Sequence, residues 1–302
     1  MTSGWSCGVS LAVLLAVGAP SAASAQATGA VSVRYGANPA VGQTFTHDGV
    51  RLYYEVYGQG EPLLIIHGNG GSIGTLRAQI DHFRRSYRVI VMDSRDQGRS
   101  GTAPGPLTFE QMADDLAALL EREHAAPAYV LGWSDGGIEA LLLAMRHPQR
   151  VRKVASMAAN LEPSGAAVNS QFLSPAPSPE AAAAILSGSD AAAIRRFRTS
   201  QLDRDEPHIS PHALQTIQAP TLILAGDHDI IRDEHTVEIF HHLPNGQLAI
   251  FPNATHMIPY DDPATFNATV ERFFATPFVK RDRFKDVMSS LGKIMGEMAK
   301  GP

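Results

Sequence analysis

Cysteine is almost missing from this 302-residue chain, with Cys7 as its single example. One thiol excludes an intrachain disulfide framework. A surplus of positive charge is missing too: 25 Lys and Arg stand against 30 Asp and Glu, a net charge of −5. That balance excludes the electrostatic footprint of a nucleic-acid-binding protein. The 12 histidines never fall in a spacing such as His-Glu-x-x-His, so no metal site is indicated, and the pair His241–His242 reads as helix surface. Apolar and charged fractions are otherwise those of a soluble globular protein, long enough for one large α/β domain or two small ones.

The amino-terminal segment lacks basic residues, since no Lys or Arg precedes Arg34. It nevertheless carries a short apolar run from Val9 to Ala19, then Pro20 and small residues, and Ala23-Ser24-Ala25 fits a small-x-small cleavage site before Gln26. The run is too short to serve as a membrane anchor. Residues 1–25 are therefore expected to be an export signal, giving a periplasmic or secreted protein without a thiol. Cys7 lies inside this segment and away from the lipid-attachment position at a cleavage site. Residues 26–43, rich in Ala, Gly and polar side chains, read as a linker.

From residue 44 onward strands and helices alternate. Val50 to Tyr57 alternates like a strand near a sheet edge. Leu63–Ile66, Val89–Met92, Tyr129–Leu131, Val154–Ala158 and Thr221–Ala225 are short apolar runs of the buried-strand kind, and Leu248–Phe251 adds a last one. Between them, helical periodicity covers about 73–85, 108–123, 135–146, 233–242 and 263–274. Buried strands alternating with helices predict an α/β fold with a mostly parallel sheet covered on both faces. The core is expected over 44–160 and 220–276. Residues 161–219, with Pro175, Pro177, Pro179 and an Ala run at 181–184, break the alternation and read as a small helical lid over the C-terminal ends of the strands. Residues 277–302 form an amphipathic, basic helix, either packed on the domain or a second subunit, or lying on a membrane surface.

Gly132-Trp133-Ser134-Asp135-Gly136-Gly137 follows a buried strand and opens a helix, the setting of a nucleophile elbow. A sharp turn there lifts the Ser134 hydroxyl clear of the backbone, and the helix N-terminus offers N–H groups to a developing oxyanion. A serine hydroxyl needs a base, and the base needs an acid to orient it. Two acids follow the Thr221–Ala225 strand, Asp229 and the alternative Asp227. His256 follows the last strand. His67-Gly68-Asn69-Gly70-Gly71 follows the Leu63–Ile66 strand, and its glycines let backbone N–H groups point inward. With neither a Gly-x-Gly-x-x-Gly frame nor a Walker lysine, it is not a phosphate loop. The oxyanion hole is expected from the N–H groups of Asn69 and Asp135, and His67 is expected to support the turn. Trp133 and Asp135 are candidates for substrate contact. Asp135 either complements the helix dipole or pairs with a cationic amine on the substrate.

These motifs, together with Asp93-Ser94-Arg95-Asp96-Gln97-Gly98-Arg99-Ser100 and Gly226-Asp227-His228-Asp229, resemble the α/β-hydrolase superfamily over about residues 44–276. The Gly-Trp-Ser-Asp-Gly-Gly elbow looks especially like that of the valacyclovir-hydrolase group and related small esterases. The resemblance implies an eight-stranded sheet, a Ser134–His256–Asp229 triad, a lid after the sixth strand, and no cofactor. In two respects the chain departs from the pattern: Asp96 and Gln97 replace the usual Gly-His pair, and the lid is short. The expected activity is hydrolysis of a small-molecule carboxylic ester. The alternatives are carbon–carbon bond hydrolysis of a β-diketone and, in another class, an inactive ligand-binding protein on the same scaffold.

Overall fold

The computed structural model describes residues 33–299, apart from residues 103 and 174. The expected export signal, and Cys7 within it, lie outside the described residues. Eight strands form one sheet: β1 Gln43–His47, β2 Val50–Tyr57, β3 Glu61–Ile66, β4 Tyr87–Asp93, β5 Ala128–Trp133, β6 Val151–Met157, β7 Thr221–His228 and β8 Gly246–Thr255. Their spatial order is β1-β2-β4-β3-β5-β6-β7-β8. β1 and β2 pair antiparallel, β2 joins β4 antiparallel, and every later pairing is parallel. The α-helices are α1 Arg77–Phe83, α2 Phe109–Arg122, α3 Asp135–Arg146, α4 Pro179–Leu186, α5 Ala191–Asp205, α6 Asp233–His242, α7 Ile258–Asp261, α8 Pro263–Ala275 and α9 Arg283–Met298.

The continuous apolar runs of β3, β4 and β5 are buried on both faces, as parallel central strands must be. α1 packs beside α8, and α2 beside α3. α2 begins at Thr108, whose side-chain oxygen accepts from the Gln111 N–H, a cap of the kind worth about 1 kcal/mol. At the other end of the sheet order β1 has Phe45 as its only apolar residue in Gln-Thr-Phe-Thr-His. Patterning therefore has little to register there, and β2, one place in from the edge, is the first strand with a buried face.

The linker expected over 26–43 is, in its described part, docked. Tyr35 is buried, and the N–H groups of Gly36 and Asn38 donate to the buried Glu55 carboxylate at 2.8 and 2.9 Å. The hydroxyls of Tyr53 and Tyr57 donate to the same carboxylate. Four donors satisfy an acid that would otherwise be costly to bury.

The helical lid follows β6. Only one of its two α-helices is anchored: α4 buries no residue, whereas α5 buries Phe197, Thr199 and Leu202. The anchor explains the departure at Asp96. Arg198 Nε donates to Asp96 Oδ2 at 2.6 Å and its Nη1 to the Gly105 carbonyl at 2.7 Å. Asp96 sits at φ 63°, where glycine would be easier, and the carboxylate is what the lid arginine uses.

At the carboxyl end, the Lys153 ammonium donates to the Phe273, Phe274 and Thr276 carbonyls, closing α8. α9 then stands apart. Of the placements expected for it, packing on its own domain is not seen: Phe284, Val287, Met288, Leu291, Ile294, Met295 and Met298 are 47–76% exposed, and no residue of α9 is buried. No described helix is long and apolar enough to cross a membrane.

Candidate active site

Ser134 lies between the last residue of β5 and the first of α3, at φ 58° and ψ −122°. A non-glycine residue at such angles is strained, by about 1–3 kcal/mol. The surroundings hold it there. Its N–H donates to the Met157 carbonyl at 2.9 Å, and its carbonyl accepts from the Gly137 and Ile138 N–H groups. A side chain at Gly132 would overlap the Gly136 carbonyl, and one at Gly136 would overlap the carbonyl of Ile66. The motif's glycines thus let β3, β5 and α3 meet behind the serine.

His256 follows β8 directly. Its Nε2 is 3.0 Å from Ser134 Oγ, and its Nδ1 is 2.7 Å from Asp229 Oδ1. The Asp229 side chain is shielded from solvent and accepts two further hydrogen bonds, from the Gly226 N–H at 3.3 Å and the Ile231 N–H at 3.1 Å. A carboxylate can only accept, so Nδ1 carries the imidazole proton and the Nε2 lone pair faces the serine hydroxyl. The alternative acid, Asp227, does not reach this histidine. It is bound by His228 at 2.8 Å and accepts the N–H groups of Asn253 and Ala254. The His228 hydrogen bond, with those two donors, pulls its carboxyl down to about 2. Asp227 therefore secures the turn in β8 that delivers His256.

Trp133 also acts on the histidine: its indole N–H donates to the His256 carbonyl at 3.0 Å. His67 supports the glycine turn as expected of it. Nδ1 donates to the Gly68 carbonyl at 2.8 Å, and Nε2 accepts the Ser94 N–H at 3.1 Å. Burial pushes its pKa down, so the ring is neutral and joins the loops after β3 and β4. At Gly68 an added Cβ would lie 2.9 Å from the Ser134 Cβ, so glycine lets this loop lie against Ser134.

Asp135 differs from its expected role as a charged partner of the helix dipole. Its side chain is buried, and burial, followed by the charge of Asp203, raises its pKa well above the carboxylate range. Its Oδ2 has no partner among the described atoms. Asp203, from the lid helix α5, is open to the active-site cavity yet enclosed by protein elsewhere, and that burial raises it to about 6. One turn beyond Asp135, the wholly buried Glu139 is also pushed up, first by burial and then by the charge of Asp135. Sequence reasoning passed over Asp203 because Asp203-Arg204-Asp205-Glu206 looks like a solvated charged face.

Ser134 and His256 line a cavity of about 750 Å³, which Asn69, Trp133 and Asp135 border from the core and Phe172, Leu173 and Asp203 from the lid. Among the described residues, no group of three or more His, Cys, Asp or Glu side chains is arranged to hold a metal ion.

Residues 61–198 match the family described as alpha/beta hydrolase fold. The serine hydrolase BPHL of Mus musculus is 30% identical over 250 residues, covering 75% of this chain and 84% of that protein. The chain belongs to the α/β-hydrolase family. RutD of Azorhizobium caulinodans, provisionally named a carbamate hydrolase, is 39% identical, but over 36% of this chain and 42% of its own length. The chain thus spans about two fifths of that relative. Among solved structures, the α/β hydrolase MGS-M2 from a Medee basin deep-sea metagenome library superposes with a TM-score of 0.67 at 20% identity, covering 80% of this chain and all of that one. The α/β-hydrolase fold is common ground. The Asp96–Arg198 lid anchor and the acid pair Asp135–Asp203 are features read from this chain.

Proposed function

We propose that this α/β-hydrolase is a serine hydrolase that cleaves a carboxylic ester, or a related acyl bond, of a small molecule. The observation that carries this reading is the continuous hydrogen-bonded series from Asp229 through His256 to Ser134, opening into the cavity beneath the lid. His256 Nε2 takes the Ser134 proton as Oγ attacks the carbonyl carbon. The oxyanion is held by the Asn69 and Asp135 N–H groups, each worth roughly 3 kcal/mol. The imidazolium then returns the proton to the departing alcohol, and Asp229 stabilises the charged ring meanwhile. Water, deprotonated by His256, attacks the acyl-enzyme and releases the acid. The name of the mouse relative, a serine hydrolase, points the same way.

Asp135, Asp203, Asp205 and Glu206 border the cavity against one cation, Arg204. That lining supports neutral or amine-bearing esters over anionic ones. An ammonium group entering beside Asp135 would draw its proton off and form an ion pair, whereas an anionic acyl group would meet carboxyls. The test is hydrolysis across short-chain, long-chain, α-amino and carboxylate-bearing acyl esters, together with a vinylogous β-diketone. Fastest turnover is expected on a neutral or α-amino ester, and Asp135→Asn is expected to lower the α-amino preference about tenfold. Preferred cleavage of the diketone would turn the assignment to carbon–carbon bond hydrolysis. No turnover, and no fluorophosphonate labelling of Ser134, would turn it to a binding protein.

The export reading rests on Ala23-Ser24-Ala25. The exposed apolar stripe of α9, with Arg283, Lys285 and Lys293 on the same helix and Lys280 and Arg281 before it, supports contact with an anionic membrane surface. In fractionated source cells the protein is expected outside the cytoplasm, beginning at Gln26 and pelleting with membranes. Removal of residues 280–302 is expected to release it to the soluble fraction. An intact Met1 terminus would end the export reading, and unchanged pelleting the membrane one.

A further inference from the structure

Of the two residues whose backbone N–H groups are proposed to hold the oxyanion, Asn69 turns its side chain onto a lid carboxylate, that of Asp203, and the Asp135 carboxyl feels the charge of the same residue. Asn69 Nδ2 donates to Asp203 Oδ1 at 2.8 Å and to the Thr199 carbonyl at 2.9 Å. Asp135 lines the same cavity as Asp203 and lies close enough for the charge of Asp203 to raise the pKa of its carboxyl. Thr199 and Asp203 are four residues apart on α5, so they present one face of that helix to the core. We infer that Asp203 is a positioning residue: by clamping the side chain of Asn69, the seated lid helix fixes the geometry of the oxyanion hole. The inference rests on the serine-hydrolase reading above.

Chain chemistry makes such a clamp useful. Asn69 lies between Gly68 and the paired Gly70 and Gly71, with Gly70 at φ 64°. Three glycines give this loop more backbone freedom than an oxyanion donor tolerates. His67 pins the start of the turn. The Asn69 amide N–H bonds to Asp203 and Thr199 tie the middle of the loop to α5, which Arg198 in turn seats on Asp96. On the other side Asp135 is itself the residue after the nucleophile. Burial and the charge of Asp203 raise the pKa of its carboxyl, and Arg204 is the cation whose field favours the charge on Asp203. One lid residue thereby holds one half of the oxyanion hole and acts by its charge on the other.

The test compares Asp203→Leu, Asp203→Asn, Asn69→Ala and the Asn69→Ala/Asp203→Leu double variant. Two readouts are taken: steady-state hydrolysis of an aryl acetate, and the rate of Ser134 labelling by a fluorophosphonate. Losing an oxyanion donor outright costs about 10²–10³ in kcat, so loosening one is expected to cost about 10- to 50-fold. Asp203→Leu should show that fall in kcat with KM within about twofold, and slow labelling by a similar factor. Asp203→Asn should recover to within about threefold, because an amide oxygen can still accept from Asn69. Asn69→Ala keeps its own N–H yet should lose as much as Asp203→Leu, and the double variant should be no worse than either single one. Wild-type kcat in Asp203→Leu, multiplying effects in the double variant, or a loss confined to KM would overturn the clamp. If Asp203→Leu does not fold, wild-type kcat in Asn69→Ala overturns it instead. A wild-type protein whose Ser134 does not label overturns the parent reading and the clamp together. A labelled wild type matched by an equally fast Asp203→Leu overturns the clamp alone.

Discussion

Replacing Ser134 with alanine is expected to lower kcat for ester hydrolysis by roughly five to six orders of magnitude, the range found when a triad serine is removed. No other hydroxyl takes its place, because Oγ is delivered to His256 Nε2 by a backbone angle that only the elbow imposes. The fold should survive, since the glycine contacts behind the turn do not involve the side chain of Ser134. A companion variant sharpens the result. Ser134→Gly should be equally inactive but more stable than Ser134→Ala by about 1 kcal/mol, because glycine accepts φ 58° without a Cβ penalty. Rate assays on purified variants and their thermal unfolding midpoints check both statements. An alanine variant with wild-type turnover would remove Ser134 from the mechanism.

The second large effect is expected at Asp229. Asp229→Asn keeps size and removes the charge. Whichever way the amide turns, something is lost. With its NH2 toward His256 it forces the proton onto Nε2, so the ring faces Ser134 with a donor in place of a lone pair. With its oxygen toward His256 the tautomer survives, but the imidazolium loses its counter-charge. A fall of about 10³- to 10⁴-fold in kcat follows, by comparison with the same change in other triads. Asp227→Asn is the control. It touches the loop before His256 only through the Asn253 and Ala254 N–H groups, so a loss of less than about tenfold is expected. A reversed ranking of the two variants would exchange their roles.

Much of the frame is legible in the sequence because burial leaves a strong signature there. The runs Leu63–Ile66 and Val89–Met92 are apolar since both faces of a central strand are covered, and the elbow glycines are needed because backbone meets backbone there. Where the structural reason is a polar contact at long range, the pattern is silent. β1 has one apolar side chain to announce it. Tyr35, Gly36 and Asn38 look like linker until the Glu55 carboxylate that collects them is in view. Asp96 stands out as a departure, but its reason lies about a hundred residues away at Arg198. Asp229 ranks ahead of Asp227 in the sequence because it lies further beyond the Thr221–Ala225 run, but the direction in which each carboxylate points is visible only in the hydrogen bonds. Asp203 gives no signal at all, because its neighbours are charged and its period is that of any surface helix.

The unequal anchoring of the lid bears on how such a protein acquires new substrates. α5 is bolted to the core through Arg198, Thr199 and Asp203, whereas α4 buries nothing and leaves Leu186 exposed. Mutations at the exposed Phe172, Leu173 and Ala176 and along Pro179–Leu186 can therefore accumulate at little cost to folding, and the first three reshape the cavity they line. Along α5 the same drift is penalised at every turn. The lid is in effect two compartments, a constrained buttress and a freely drifting awning, and change in substrate range is channelled into the second.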